Sequence, residues 1–125
     1  AEEAIRLVDE FLPSIEGTPW VSNFLSLKSN ALRTLGRHEE RLATEIRSLE
    51  IARATDKFQA SEYAGNMYAI GVIAETEVGD VATAREYYFK VIDEYPADVR
   101  VYPAIRALMR LEEYERQLAA EAGID

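Results

Sequence analysis

Apolar residues recur along the chain at three- and four-residue spacing, the signature of helices that each bury one stripe. Glycine and proline cut that pattern into segments. Ala4, Leu7, Val8, Phe11 and Leu12 form a first stripe that Pro13 is expected to end, with Ser14 to Thr18 as a loop. Thr18 offers a hydroxyl cap, and Pro19 stands at the first helical position, where a missing N–H is harmless. A second helix is predicted from Pro19 to Leu35, burying Trp20, Phe24, Leu27, Ala31, Leu32 and Leu35, with Gly36 as its stop. A third, His38 to Ala54, turns Leu42, Ile46, Leu49 and Ile51 inward and offers Arg41 and Glu45 as an exposed pair four residues apart.

Beyond a break at Asp56 to Gln59, a fourth helix is predicted over Ala60 to Val78, with Tyr63, Met67, Ile70, Ile73 and Ala74 buried. Gly79 ends it, because glycine takes positive φ without a steric cost. Asp80 caps a fifth, which buries Val81, Ala84, Tyr88, Val91 and Ile92 and closes at Pro96. A sixth begins between Asp98 and Tyr102 and runs to about Ala122, which admits Pro103 only within its first turn. No stretch alternates like a half-buried strand. These segments imply one all-α domain over residues 1–125, built of about six helices.

The helices are not independent of one another in sequence. Asn30-Ala31-Leu32-Arg33-Thr34-Leu35-Gly36 aligns with Ile73-Ala74-Glu75-Thr76-Glu77-Val78-Gly79: an alanine five residues before a glycine, and an apolar residue directly before that glycine. The two glycines are 43 positions apart (79 minus 36). In the second copy Tyr68, Ala74, Gly79, Ala84, Tyr88 and Pro96 fall where the tetratricopeptide repeat family places a large residue, a small residue, a turn glycine, an alanine, an aromatic and a closing proline. The chain therefore resembles that family. Its best repeat is 60–96, a degenerate one covers 19–56, a partial one 1–13, and 98–122 is a terminal helix.

Several positions depart from the family pattern. Gly71 and Val72 stand in inverted order, Glu75 replaces an aromatic, and in the first copy Arg41 and Glu45 occupy the small and aromatic positions of the second helix. The resemblance implies antiparallel hairpins stacked as a short right-handed superhelix, with a groove lined by the first helix of each pair. The positions facing it would be Asn23, Ser26, Asn30, Arg33 and Thr34, then Asn66, Ala69, Ile73, Thr76 and Glu77. Asparagine there offers both a donor and an acceptor to an extended peptide backbone. The carboxylate clamp of some members needs a lysine where Ser26 stands and an asparagine where Ile70 stands, so only Asn30 matches, and recognition of chaperone tails is not expected.

Charge narrows the partners. A net charge of -9 opposes the phosphate neutralisation that nucleic-acid binding needs, and the longest apolar run, Tyr68 to Ala74, is too short to span a bilayer. With no cysteine, disulfides and thiolate sites are absent. The one histidine, His38, has no nucleophile placed near it by a known motif and reads as a solvated surface residue. The many carboxylates read as an acidic face, and Gly65, Gly71 and Gly79 do not form a phosphate loop.

The expectation is a scaffold without catalysis, cofactor or metal, binding a protein or peptide; the alternatives are a helical spacer or regulatory module, and a small-ligand protein or enzyme with an undetected site. Among the crowded aromatics, Tyr88 and Phe89 are assigned to the core, and Tyr87 and Tyr95 to either core or interface. Leu7, Val8 and Phe11 at one end and Ile105, Leu108, Met109 and Leu111 at the other are candidates for self-association, since stacked repeats leave their end helices half covered. Glu2 and Glu3 stand where a signal peptide would be basic, while Tyr95-Pro96 followed by Tyr102-Pro103-Ala104 resembles repeats of bacterial envelope assembly factors. Cytoplasm and periplasm are both compatible with the sequence.

Overall fold

Two glycines set where the chain turns back. Gly36 (φ 71°) and Gly79 (φ 80°) both adopt the left-handed backbone, which a residue with a Cβ reaches only with strain, and each ends the first helix of a pair. The structure is a computed structural model that describes residues 1–55 and 59–123. Its elements are α1 (Glu2–Ile15), α2 (Val21–Thr34), α3 (His38–Ala54), α4 (Ala60–Ile73) continued by a π turn (Ala74–Val78), α5 (Val81–Glu94) and α6 (Val101–Glu121). Among the described residues there is no strand. Each helix packs chiefly on the one before and the one after it, and the π turn also reaches α3 and α5. This is a stack of helical hairpins in chain order.

The two aligned segments behave alike. The N–H of Arg37 bonds to the carbonyl of Leu32 at 2.9 Å and that of Asp80 to Ala74 at 2.8 Å, so both turns satisfy carbonyls that the helix end leaves open. Asp80 then caps α5, its carboxylate accepting from the Thr83 N–H at 3.1 Å and from the Thr83 hydroxyl at 2.6 Å. Those bonds hold the Asp80 carboxyl below its ordinary value.

Around Tyr88 the departures from the repeat pattern fit one another. Its ring is fully buried against Gly71, where an added Cβ would lie 2.7 Å from the ring, and 5.7 Å from the ring of Tyr68. The Tyr88 hydroxyl donates to Glu75 at 2.7 Å, and Arg110 of α6 pairs with the same carboxylate at 3.0 Å. Glycine makes room for the ring, and the glutamate satisfies its hydroxyl. Ala84 and Val91, buried beside Tyr88, with Met67, Ile70, Ala104, Ala107 and Leu111, belong to a main core running from α3 to α6. Ile5, Ala31 and Leu32 form a separate small cluster under α1.

Five local expectations are corrected. Helix α1 continues through Pro13 to Ile15, and Thr18 serves the turn rather than a cap, its hydroxyl donating to Ile15 at 2.6 Å and accepting from the Trp20 N–H. In α2, Trp20, Leu27 and Leu35 lie outward, whereas Val21, Ser22, Leu25 and Ser29 are buried with Ala31 and Leu32. Serines take those places because small side chains let α2 and α3 approach closely. Arg41 and Glu45 are half-buried rather than an exposed pair: Glu45 accepts from the Ser29 hydroxyl. In α5, Tyr87 is buried and Phe89 is 53% exposed. Of the expected break at Asp56 to Gln59, residues 56–58 lie outside the described residues, and Gln59 is the extended N-cap of α4. Pro103 sits within the first turn of α6, as its ring requires.

Candidate functional site

Helices α2, α3 and α4 leave an open cleft between them. Its walls are Ser22, Asn23, Ser26 and Leu27 of α2, Glu45, Ser48 and Leu49 of α3, and Asn66 of α4, around a volume of about 600 Å³. The spacing explains the lining: 22, 23, 26 and 27 fall over about one and a half helical turns and share a side, as do 45, 48 and 49. Buried Ser22, Ser29 and Leu25 hold α2 against α3, which sets the cleft floor. Glu45 brings a carboxylate to that floor, oriented by the Ser29 hydroxyl.

Of the residues singled out in the sequence, Asn23, Ser26 and Asn66 come together here. Asn30, Arg33 and Thr34 are exposed farther along α2, where the Thr34 hydroxyl donates back to the Asn30 carbonyl at 3.1 Å. Ala69 and Thr76 are exposed but do not line the cleft. Ile73 is 6% exposed and belongs to the main core, so it offers nothing to a ligand. Glu77 faces a different recess, where its carboxylate lies 3.5 Å from His38 Nε2. His38 is thus half-buried between α3 and the π turn rather than solvated.

Residues missed by the sequence reading extend the same face. Arg100 lies over Gly65, where an added Cβ would come within 3.2 Å of its guanidinium, and with Ser61, Glu62, Gly65 and Asn66 it lines a shallow recess that shares Asn66 with the cleft. Asp98 fixes Arg100 through a 3.1 Å ion pair. The Arg100 N–H, hydrogen bonding to the Asp98 carboxylate, keeps that carboxyl below its ordinary value, aided by the guanidinium. The signal available in the sequence was the Asp98-x-Arg100 pair beside a helix start, which has no distinctive spacing. Asn66 is common to the cleft, which holds Glu45, and to the recess, which holds Arg100, so donors and acceptors of both charge signs stand on either side of it in the two lining sets.

The chain matches no family model, no curated protein and no solved structure. Its function must therefore be argued from this geometry.

A second cavity, about 510 Å³, lies between α1, the start of α2 and the end of α3, lined by Leu12, Pro13, Val21, Ile51 and Ala54 with Asp9, Glu16 and Arg47 at its polar edge. Among the described residues no cluster of three or more His, Asp or Glu side chains could hold a metal ion, and no helix is long and apolar enough to cross a membrane.

Proposed function

We propose that this protein is a tetratricopeptide-like scaffold that binds an extended peptide segment in the cleft between α2, α3 and α4, without chemistry of its own. The observation that carries this reading is the convergence of Asn23, Ser26 and Asn66 from two separate helices, over Ser22, Ser48 and Glu45, in one open polar cleft. Side chains able both to donate and to accept suit a peptide backbone, whose N–H and C=O alternate. Glu45 on the cleft floor and Arg100 in the adjoining recess favour a segment with a basic residue near the former and an acidic residue near the latter. The hairpin stack and the aligned glycine turns support the family reading.

Selection from a random peptide display library on the full chain tests the proposal. Peptides recovered should lose about tenfold or more in affinity when Asn23 and Asn66 are both replaced by alanine, with helix content unchanged. Peptides that bind the doubly substituted protein as tightly as the original would remove the cleft from the binding function. The apolar cavity beside Leu12 and Ile51 favours a second reading, a small apolar ligand held between α1 and α3. Ile51→Glu would abolish such binding while leaving peptide capture intact.

A further inference from the structure

A single charge stands in the cleft between α2, α3 and α4, and it has no counter-ion. Of the side chains that line the cleft only Glu45 is charged; the others are serine, asparagine and leucine. Its carboxylate is half-buried, and Oε1 accepts from the hydroxyl of Ser29, which is itself buried. Among the described residues no cation comes within ion-pair distance of either oxygen. The cations nearest to it on α2 and α3 are used or turned elsewhere. Lys28 pairs with Asp9 at 2.7 Å, and Arg47 lines the cavity between α1 and α3. Arg41, one turn before Glu45 on the same face of α3, does not pair with it despite the four-residue spacing that allows a pair, and its Nε is buried without a partner. Arg33, one turn beyond Ser29 on α2, is exposed and lines no part of the cleft.

A carboxylate drawn partly out of water is stabilised by a paired cation, and the chain supplies none. We propose that the cleft is an arginine pocket, in which the guanidinium of one arginine of a bound peptide pairs with Glu45. The inference rests on the peptide-cleft reading and names the side chain that the segment must carry. Arginine fits the lining better than lysine. A guanidinium is a planar fork of five N–H donors, and Glu45 shares the cleft with neutral oxygen acceptors, the hydroxyls of Ser26 and Ser48 and the amide of Asn66. An ammonium has three donors and holds its water more strongly, so it loses more on leaving solvent. Leu27 and Leu49 offer the methylene stem an apolar wall. The volume of about 600 Å³ leaves room for the backbone that carries the side chain. The net charge of -9 draws a cationic segment toward the molecule, and pairing with Glu45 sets its register in the cleft.

Selection from a random peptide library on the full chain, followed by titration calorimetry of synthetic peptides, tests the pocket. Peptides whose binding depends on Asn23 and Asn66 should share an arginine at a fixed position. Replacing that arginine by citrulline, which keeps its shape but carries no charge, should weaken binding by about tenfold or more, and replacing it by lysine by about threefold or more. Glu45→Gln, which keeps an acceptor for Ser29, should make the arginine and citrulline peptides bind alike, with the circular dichroism spectrum unchanged. Acetyl-arginine amide, the same side chain without the rest of the peptide, should bind about tenfold more weakly than the selected peptide, or weaker still. Cleft-dependent peptides that lack arginine, a citrulline or lysine peptide as tight as the arginine one, or discrimination that survives Glu45→Gln would each overturn the pocket and leave the peptide cleft standing. Acetyl-arginine amide as tight as the peptide would make this a site for small guanidines and overturn the peptide as its occupant. Selection that yields no peptide dependent on Asn23 and Asn66 removes the cleft itself, and the pocket with it. The citrulline comparison is made on the unaltered protein, so it decides the matter whatever Glu45→Gln does to folding.

Discussion

The contact between Gly71 and Tyr88 shows how one missing methyl group decides a packing site. A Cβ at Gly71 would fall 2.7 Å from the Tyr88 ring, which is fully buried in the main core and held at its hydroxyl by Glu75. Gly71→Ala should therefore lower stability: overpacking costs about 1 to 3 kcal/mol, more than the gain of about 1 kcal/mol from better helix propensity. At Gly65 the obstacle is the Arg100 guanidinium, the far end of a flexible side chain. Gly65→Ala should be neutral or stabilising by up to about 1 kcal/mol. Chemical denaturation of both variants distinguishes the two cases, and equal effects would show that the ring contact is slack. The hydroxyl of the same tyrosine makes the second prediction. Burial, then the hydrogen bond and charge of Glu75, push Tyr88 well above its ordinary value. Glu75 itself is pushed up by burial, yet the bonds from Arg110 and Tyr88 outweigh that and hold it below its usual 4.5. A lowered carboxyl contributes stability that is present above its unfolded value and lost as pH falls through the folded one. A raised tyrosine contributes stability that is present below about pH 10 and lost as pH rises beyond it. Glu75→Gln should accordingly flatten the fall in melting temperature below about pH 4.5, and Tyr88→Phe the fall above about pH 10. Unchanged limbs in both would separate this network from stability.

Among the elements, the turn from α4 to α5 concentrates the most local instruction. Gly79 in the left-handed region, the Asp80–Ala74 backbone bond and the Asp80–Thr83 cap act within the ten residues from Ala74 to Thr83. Asp80→Ala should cost about 0.5 to 2 kcal/mol, whereas Asp80→Asn, which keeps a side-chain acceptor, should recover most of it; thermal melts of the pair decide. Such turns are why helix positions were legible from sequence: their signals are local and belong to glycine, proline and one capping side chain. The facing of α2 was not legible, because it is set by neighbours. Trp20 and Leu27 are the larger apolar residues, yet Ser22 and Ser29 face α3, where close approach of two backbones excludes bulk and the Ser29 hydroxyl finds Glu45. For the same reason Phe89, expected in the core, lies outside and Tyr87 takes the core alternative, since α5 is covered by α4 and α6. The candidate cleft was half legible: Asn23, Ser26 and Asn66 followed from the repeat register, while Glu45, Ser48 and Arg100 come from elements whose roles only packing reveals. Ile73 fails as a cleft residue through the same effect, being one helical position too close to the core.

At the scale of the molecule, contacts between chain neighbours dominate, and this has a consequence for how the fold opens. In a stack where each helix leans mainly on the next, stability is close to a sum of local terms, and one end can loosen without the other. The apolar clusters are unequal. Fifteen buried residues from α3 to α6 form the main cluster, whereas under α1 the separate cluster is Ile5, Ala31 and Leu32. Pro13 weakens α1 further, since its ring removes one helical hydrogen bond and crowds the preceding turn. Native-state hydrogen exchange should therefore show α1 and the first turns of α2 opening at a lower free energy than α4 and α5, with Tyr88 still packed. Ile5→Ala should widen that gap: it removes a buried side chain of the small cluster, a loss of about 2 to 5 kcal/mol if fully felt, and it should accelerate exchange in α1 while leaving protection around Val91 within error. If α1 and α5 instead exchange at one common free energy, and Ile5→Ala lowers both together, the stack is a single cooperative unit and the division of its core into two clusters has no energetic meaning.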